Sequence, residues 1–157
     1  MTPRIVLALA LLACDKTEPA TTSAAATAGL AKANVEDPNA PGPPSDAKPI
    51  GVAELRAGAI TGRTKWSGAS VTAKGLYMSA TTLQTSGGER ANVSITAAKA
   101  DLKNVITCVV DDPKSLPPKL AQYDAVTVKG KVRVREMISG DSDKMLDVEL
   151  EGCSVEK

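Results

Sequence analysis

Strict alternation of apolar and charged residues in the last third of the chain constrains its fold more than any other feature. Residues 126–136, VTVKGKVRVRE, place valines on one side of an extended strand and four cations on the other, namely Lys129, Lys131, Arg133 and Arg135. A period of two is typical of a strand with one buried and one solvated face. Residues 145–156, MLDVELEGCSVE, alternate in a similar way with acidic residues. The two runs therefore predict an antiparallel hairpin.

The charges also predict the register of this hairpin. One alignment matches the apolar faces and brings three cations opposite three acids: Lys131 with Glu151, Arg133 with Glu149, and Arg135 with Asp147. Facing pairs of opposite charge contribute roughly 0.2 to 1 kcal/mol each. The basic row is therefore predicted to be a solvated sheet face that the next strand neutralises. The alternative interpretation is a site for a polyanion.

Upstream, the patterns predict one helix followed by three strands. Residues 50–60 place Val52, Leu55 and Ala59 on one helical face. Strands are predicted within 68–84, 91–97 and 104–110, with a hairpin turn at the two glycines of SGGER, residues 86–90. Asp112 and Pro113 then predict the cap and first residue of a short helix that two further prolines keep brief.

This order of elements predicts a mainly β domain. It comprises a short N-terminal helix, three strands, a short helix between strands 3 and 4, and two final strands, which is the pattern of a five-stranded OB-fold, a Greek-key barrel. A short internal repeat in the sequence supports the closure of that barrel. VTAKG at 71–75 recurs as VTVKG at 126–130, and these two strands are neighbours in an OB-fold.

Two stretches resemble the bacterial tRNA_anti-like family. They are KWSGASVTAKGLYMS at 65–79 and the region from ITCVVDD through VTVKGKVRV to LDVELEGCSVE, which spans 106–156. The resemblance covers most of the predicted domain and implies an OB-fold architecture. It leaves the molecular role open, because a fold does not supply a function.

The first residues predict export and lipid attachment. A cation at Arg4, an apolar run and a cysteine at Cys14 have the layout of a secretory signal peptide. LLAC at 11–14 resembles the bacterial lipobox, which implies cleavage after residue 13 and lipid on Cys14; the alternative is an ordinary signal peptide. Residues 14–49 are then predicted to be a lipidated cysteine and a disordered tether rich in Ala, Thr and Pro. Residues 50–157 form the predicted domain, held at the periplasmic face of the inner or outer membrane.

The cysteines that remain after lipidation form an even pair. Cys108 and Cys153 are predicted to form a disulfide, because the expected compartment is oxidising. The alternatives are two buried thiols or a metal site. A zinc site needs four ligands, and the chain has no histidine.

Charge and composition argue against several classes of function. Removal of Arg4 lowers Lys plus Arg from 19 to 18, which equals the 18 Asp plus Glu, so the mature chain has no global field that attracts nucleic acid. Without histidine, the usual general base and the Ser-His and Cys-His dyads are absent from the sequence. We therefore expect a protein that is not an enzyme and that has no cofactor or bound metal.

Three binding hypotheses follow for the domain. The first is an accessory module for another envelope protein. The second is a small ligand or oligosaccharide on a face that contains Trp66 and Tyr77, although core packing is the alternative fate of both rings. The third is single-stranded nucleic acid on the row of Lys129, Lys131, Arg133 and Arg135, which export disfavours.

Overall fold

The computed structural model describes residues 36–44, 48–138 and 144–157. Its elements are β1 (Ile50–Gly51), α1 (Val52–Thr61), α2 (Arg63–Trp66), β2 (Ser70–Thr85), β3 (Gly88–Thr96), β4 (Val105–Val110), a 3-10 helix (Pro113–Ser115), β5 (Ala125–Ile138) and β6 (Lys144–Glu156). The predicted signal peptide, Cys14, the tether residues 15–35 and 45–47, and the turn at 139–143 lie outside the described residues.

The strands form one sheet that closes on itself. Their order is β1-β2-β3-β4-β6-β5, and a further pairing of β2 with β5 joins the two sides. β4 and β6 run parallel, and the other pairings among β2 to β6 are antiparallel. The predicted OB-fold is confirmed, because this closed order of five strands is that of the Greek-key barrel.

The two repeated pentapeptides, one in β2 and one in β5, pair with each other. Val71 faces Gly130, Ala73 faces Val128 and Gly75 faces Val126 in the β2–β5 ladder. The two copies of the repeat therefore pair with each other, and this pairing of β2 with β5 closes the barrel. This confirms the prediction that the two strands are neighbours.

Helix α1 contributes an apolar face to the core. Val52, Leu55 and Ala59 are all buried, which confirms the predicted face. They join the inward side chains of β2 to β6 in one cluster. No helix within the described ranges combines the length and apolar character needed to cross a membrane.

The predicted register of the β5–β6 hairpin is confirmed. The facing pairs are Lys131 with Glu151, Arg133 with Glu149, and Arg135 with Asp147. The ion pairs, however, are diagonal: Arg135 Nη1 donates to Glu149 Oε1 at 2.8 Å, and Arg133 donates to Glu151. Diagonal neighbours are within reach of long side chains on a twisted ribbon. Three of the four cations in the row, Lys129, Arg133 and Arg135, therefore pair with acids of β6 that are displaced by two residues from the facing position. The predicted neutralisation holds for these three, whereas Lys131 forms no ion pair within the described ranges.

A bulge at Gly152 reverses the alternation of β6. Lys131 faces Glu151 and Lys129 faces Ser154, so Gly152 and Cys153 together lie opposite a single residue of β5. Gly152 has a φ of 55°, the left-handed conformation that a glycine adopts readily in such a bulge. As a result, Leu150 and Cys153 both point into the barrel, although they are three residues apart.

Cys153 forms the predicted disulfide with Cys108. Their Cα atoms are 5.5 Å apart on the neighbouring strands β6 and β4. Both cysteines belong to the buried core. The disulfide thus joins the last strand to the middle of the sheet.

Several boundaries differ from the sequence-based expectation: residues 50–51 form β1 instead of the start of the helix, and α2 was not predicted. Residues 36–44, predicted as tether, form a strap against α1 and α2: Asp37 N–H donates to the Thr61 carbonyl at 3.0 Å, and Ala40 is buried. The predicted helix after β4 is only three residues long. Asp112 Oδ1 caps it by accepting from Lys114 N–H, but Pro117 and Pro118 follow two and three residues after its end.

Candidate binding groove

The outer surface of the barrel contains a groove of about 440 Å³ between two projecting hairpins. Side chains of β3, β4, β5 and β6 form its floor, and the outer parts of the β2–β3 and β5–β6 hairpins flank it. In OB-folds this face, between these two loops, is where ligands commonly bind. We call it the groove and define it by its lining: Leu83, Thr85, Arg90, Asn92, Val109, Asp111, Arg133, Arg135, Glu149, Glu151 and Gly152.

Each arginine of the groove is paired with an acid. Arg90 Nε lies 3.2 Å from Asp111 Oδ1, across the β3–β4 ladder. The other two pairs are the diagonal ones of the β5–β6 hairpin, Arg135 with Glu149 and Arg133 with Glu151. The floor of the groove therefore consists largely of arginine–carboxylate ion pairs, in which each positive charge is balanced by a negative one.

Apolar side chains are exposed on both hairpins that flank the groove. Leu83 of β2 is 43% exposed and lies on the same face as its neighbour Arg90. Met137 and Met145 face each other across β5 and β6 and are 49% and 43% exposed. By strand alternation, Met137 shares a face with Arg135. The groove thus combines a polar floor with apolar flanks.

Asp147, which faces the groove residue Arg135 across the β5–β6 ladder, has a raised pKa. Burial raises the pKa of Asp147, and the nearby carboxylate of Glu149 acts in the same direction. The backbone N–H of Val148, which donates to Asp147 Oδ1 at 3.0 Å, opposes this shift. Protonation of Asp147 would remove a negative charge from beside the groove.

A second depression lies on the other side of the Gly152 bulge. This lysine cleft has a volume of about 550 Å³, and three lysines and several hydroxyl residues line it. Its polar lining is Lys48, Ser70, Thr72, Lys129, Lys131, Glu151 and Ser154. Lys129 Nζ pairs with Glu156 at 3.4 Å, whereas Lys131 forms no ion pair within the described ranges.

The basic row is thus divided between two surfaces. Lys129 and Lys131 line the lysine cleft, and Arg133 and Arg135 line the groove. The alternation in sequence places all four on one face but gives no sign of this division, which depends on the bulge in the neighbouring strand.

The structure does not place Trp66 and Tyr77 in a common ligand face. Trp66 is only 3% exposed, and its Nε1 donates to the Pro41 carbonyl of the strap at 2.9 Å. A Cβ at Gly58 would lie 2.4 Å from the indole, which shows how closely α1 packs on the ring. The indole ring is therefore covered by protein, as in the core-packing alternative for Trp66.

Tyr77 lies far from Trp66 along β5. Gly68, which lies next to α2, donates its backbone N–H to the Val132 carbonyl of β5. Tyr77 donates its backbone N–H to the Asp124 carbonyl, just before β5 begins. Val132 and Asp124 are eight residues apart, and eight residues of extended chain span about 26 Å. Tyr77 is half-buried against the core, so the core-packing alternative describes both rings better.

Sequence reasoning missed Arg90, Asp111 and Leu83 as groove residues. Arg90 follows a glycine turn and Asp111 follows a strand, and neither belongs to an alternating charged run. Their pairing across β3 and β4 is a tertiary relationship. The exposed leucine in the uncharged stretch around residue 83 was the one local signal that pointed to this surface.

No metal centre is found among the residues that the structure describes. No group of three or more Cys, Asp or Glu side chains lies there in an arrangement that could hold an ion. The groove and the lysine cleft offer charged, hydroxyl and apolar contacts, which suit reversible binding.

Comparison with known proteins identifies no family. No family model matches the chain. No curated protein matches it either.

Among solved structures, one match is a small single-stranded DNA-binding protein from Streptomyces coelicolor, with 17% identity, a TM-score of 0.40, and coverage of 53% of this chain and 87% of that one. Another is a putative aspartyl-tRNA synthetase from Leishmania major Friedlin, with 16% identity, a TM-score of 0.39, and coverage of 72% of this chain and 21% of that one. The OB-fold assignment therefore rests on the strand order described above.

Proposed function

We propose that this chain is a lipid-anchored, non-catalytic binding module of the bacterial cell envelope, related to the tRNA_anti-like proteins, and that its groove binds a segment of a protein partner. Lipid on Cys14 holds it at a membrane, and the tether gives the OB domain reach. The proposal combines the export signals of the sequence with the geometry of the groove.

The observation that carries the proposal is the pairing of every arginine in the groove with an acid. Such a floor presents hydrogen-bonding groups without a strong net field. Arginine and methionine are enriched in protein interfaces, whose polar groups are surrounded by apolar contacts. The arginine floor and the exposed methionines of the β5–β6 hairpin match that composition.

The same pairing disfavours nucleic acid in the groove. A phosphate backbone binds by displacing counterions from free cations, and binding then weakens steeply with salt. Here the phosphates would have to compete with Asp111, Glu149 and Glu151 for the arginines. Single-stranded binders also stack bases on exposed aromatic rings, and none of the described residues that line the groove is aromatic.

In-cell crosslinking of the full chain, followed by affinity purification and mass spectrometry, tests the proposal. We expect one envelope protein to be captured reproducibly. Met145→Glu should abolish its capture, because a charge then replaces an apolar flank of the groove. Gln122→Glu is the matched control, an exposed site in the loop before β5. Cys14→Ala shows whether the capture also requires the anchor.

A small anionic ligand in the lysine cleft is a second candidate function. It is favoured by Lys131, which has no ion-pair partner within the described ranges and lines the cleft together with Lys48 and Lys129. Inorganic phosphate is a suitable first probe. A thermal shift with phosphate that Lys131→Gln removes, and that Lys114→Gln on the exposed 3-10 helix leaves intact, would support this function. Equal shifts in both variants would reject the site.

A further inference from the structure

One edge of the β2–β3 hairpin is open. β2 pairs with β3 as far as Thr85, but on its other side it pairs with β5 only from Ser70 to Leu76. Tyr77 then bonds to the backbone of Tyr123 and Asp124. Beyond Tyr77, no backbone hydrogen bond reaches this side of β2 within the described ranges. Such a row of unpaired N–H and C=O groups is a template for another strand.

The open edge lacks the usual protection against pairing. Proteins commonly guard an edge with lysine, proline or an inward charge. Here no charged residue and no proline occur from Gly75 to Gly88, and residues 79–90 are all exposed. Leu83 lies in the middle of this neutral stretch with 43% of its surface exposed.

The turn determines which residues direct their backbone outward. Thr85 faces Gly88 across a two-residue turn, so they form the first hydrogen-bonded pair of the hairpin. Because hydrogen-bonded and non-hydrogen-bonded pairs alternate, the N–H and C=O groups of Ala80, Thr82 and Gln84 point to the open side. Leu83 points its backbone toward β3.

We propose that this edge binds β2 of a second copy of the chain, antiparallel and around a two-fold axis at Leu83. In that register, Leu83 faces Leu83 of the second copy in a non-hydrogen-bonded pair, where facing side chains are closest. Thr82 and Gln84 exchange backbone hydrogen bonds with Gln84 and Thr82 of the second copy. The interface is isologous, as expected for a dimer of identical subunits.

Charge favours a second copy over a strand of another protein. A neutral edge pairs with itself without like-charge repulsion, and it offers a foreign strand no charge by which to be selected. Self-pairing also covers the exposed leucine with an identical apolar side chain, and Thr81 then faces Thr85 of the other copy. The dimer goes beyond the proposed function: it uses the strand edge and the Leu83 flank, and it leaves the arginine pairs of the floor and the methionine flank of the β5–β6 hairpin uncovered.

Disulfide trapping in the full chain tests the register. Leu83→Cys, expressed in the producing cell and analysed without reductant, should yield a covalent dimer that reductant dissolves. Thr85→Cys is the matched control, since it lies on the same face of the same hairpin but faces residue 81 of the second copy, and it should stay monomeric. Adding Thr82→Pro to Leu83→Cys removes an outward N–H and should abolish the dimer.

Several results would overturn the proposal. A monomeric Leu83→Cys, equal dimer from Thr85→Cys, or dimer that survives Thr82→Pro each contradicts the pairing. A Leu83→Cys adduct to a different protein in place of the dimer would show another occupant. Thr82→Lys, with protease resistance as the check on folding, gives a second way to block the edge. Met145→Glu should leave the dimer intact, so loss of groove binding and loss of dimer are separate results.

Discussion

Cys108 and Cys153 lie on neighbouring strands with their Cα atoms 5.5 Å apart, and the Gly152 bulge is what turns Cys153 toward its partner. Uninterrupted alternation from Leu150 would direct Cys153 to solvent with Glu149 and Glu151. The extra residue reverses the alternation, so the disulfide depends on the backbone conformation of a single glycine.

Replacement of that glycine by alanine should destabilise the domain. A φ of 55° at Gly152 costs an alanine roughly 1 to 2 kcal/mol. No atom lies within 4 Å of the added Cβ, so the cost is conformational. Chemical denaturation of Gly152→Ala measures it. Gly51→Ala is the control, because its Cβ also meets nothing within 4 Å and its φ of −74° suits alanine; equal losses in both variants would contradict the role of the bulge.

Removal of the disulfide should lower the free energy of unfolding by more than Gly152→Ala does. The two cysteines are separated by 45 positions in sequence, and closing a loop of that length restricts the unfolded chain, which is worth about 4 kcal/mol on the chain-entropy model. Cys108→Ala combined with Cys153→Ala leaves no lone thiol in the core. We expect its denaturation midpoint to fall well below that of the oxidised parent and near that of the reduced parent. An unchanged midpoint would mean that the disulfide does not contribute to stability.

The relation of sequence to structure differs between the hairpin and the groove. The β5–β6 register was predictable because alternating charges and valines occur in two continuous runs, and a shift by one residue would expose every valine. The face of α1 was predictable for the same local reason, the spacing of Val52, Leu55 and Ala59. The groove floor joins residues of four strands, so no continuous pattern contains it.

The sequence did not predict the strap, because composition describes only how a segment behaves by itself, without its tertiary contacts. Residues 36–44 contain four prolines and one glycine and have no periodic apolar pattern, yet their polar groups bind specific partners. Trp66 Nε1, Lys65 Nζ and Thr64 N–H donate to Pro41 O, Ala40 O and Glu36 Oε1, respectively. Such partners are visible only once α1 and α2 are placed.

Acidification should release the strap. The N–H of Thr64, at 2.6 Å from Glu36 Oε1, lowers the pKa of that carboxyl. A lowered pKa in the folded state stabilises the strap above the ordinary value, about 4.3, and this contribution is lost as the pH falls through the lowered pKa. Trp66 is the single tryptophan, so its emission should shift to the red over that range.

Glu36→Gln should show the red-shifted emission already at neutral pH if the strap loosens without the carboxylate. Glu54→Gln on the exposed side of α1 serves as the matched control and should retain the parent spectrum. An emission maximum that is the same in Glu36→Gln and the parent at every pH would contradict the link between this carboxylate and the strap.

The ion pairs of the β5–β6 hairpin should differ in their contribution to stability. The Glu149 side chain is 10% exposed beside Arg135, whereas Lys129 and Glu156 are both more than half exposed. Arg135→Ala leaves a nearly buried carboxylate unpaired and should lower the free energy of unfolding by about 1 to 3 kcal/mol. Lys129→Ala should cost at most about 1 kcal/mol. Urea denaturation compares them, and equal losses would show that burial of Glu149 is irrelevant.

The most direct test of the proposed binding groove is a photo-crosslinking amino acid at position 145 of the full chain in living cells. Position 122, in the exposed loop before β5, carries the same probe as the control. We predict a discrete adduct with one envelope protein from position 145 and none from position 122. The same adduct from both positions, or crosslinking from position 145 to nucleic acid in place of protein, would contradict a protein-binding groove.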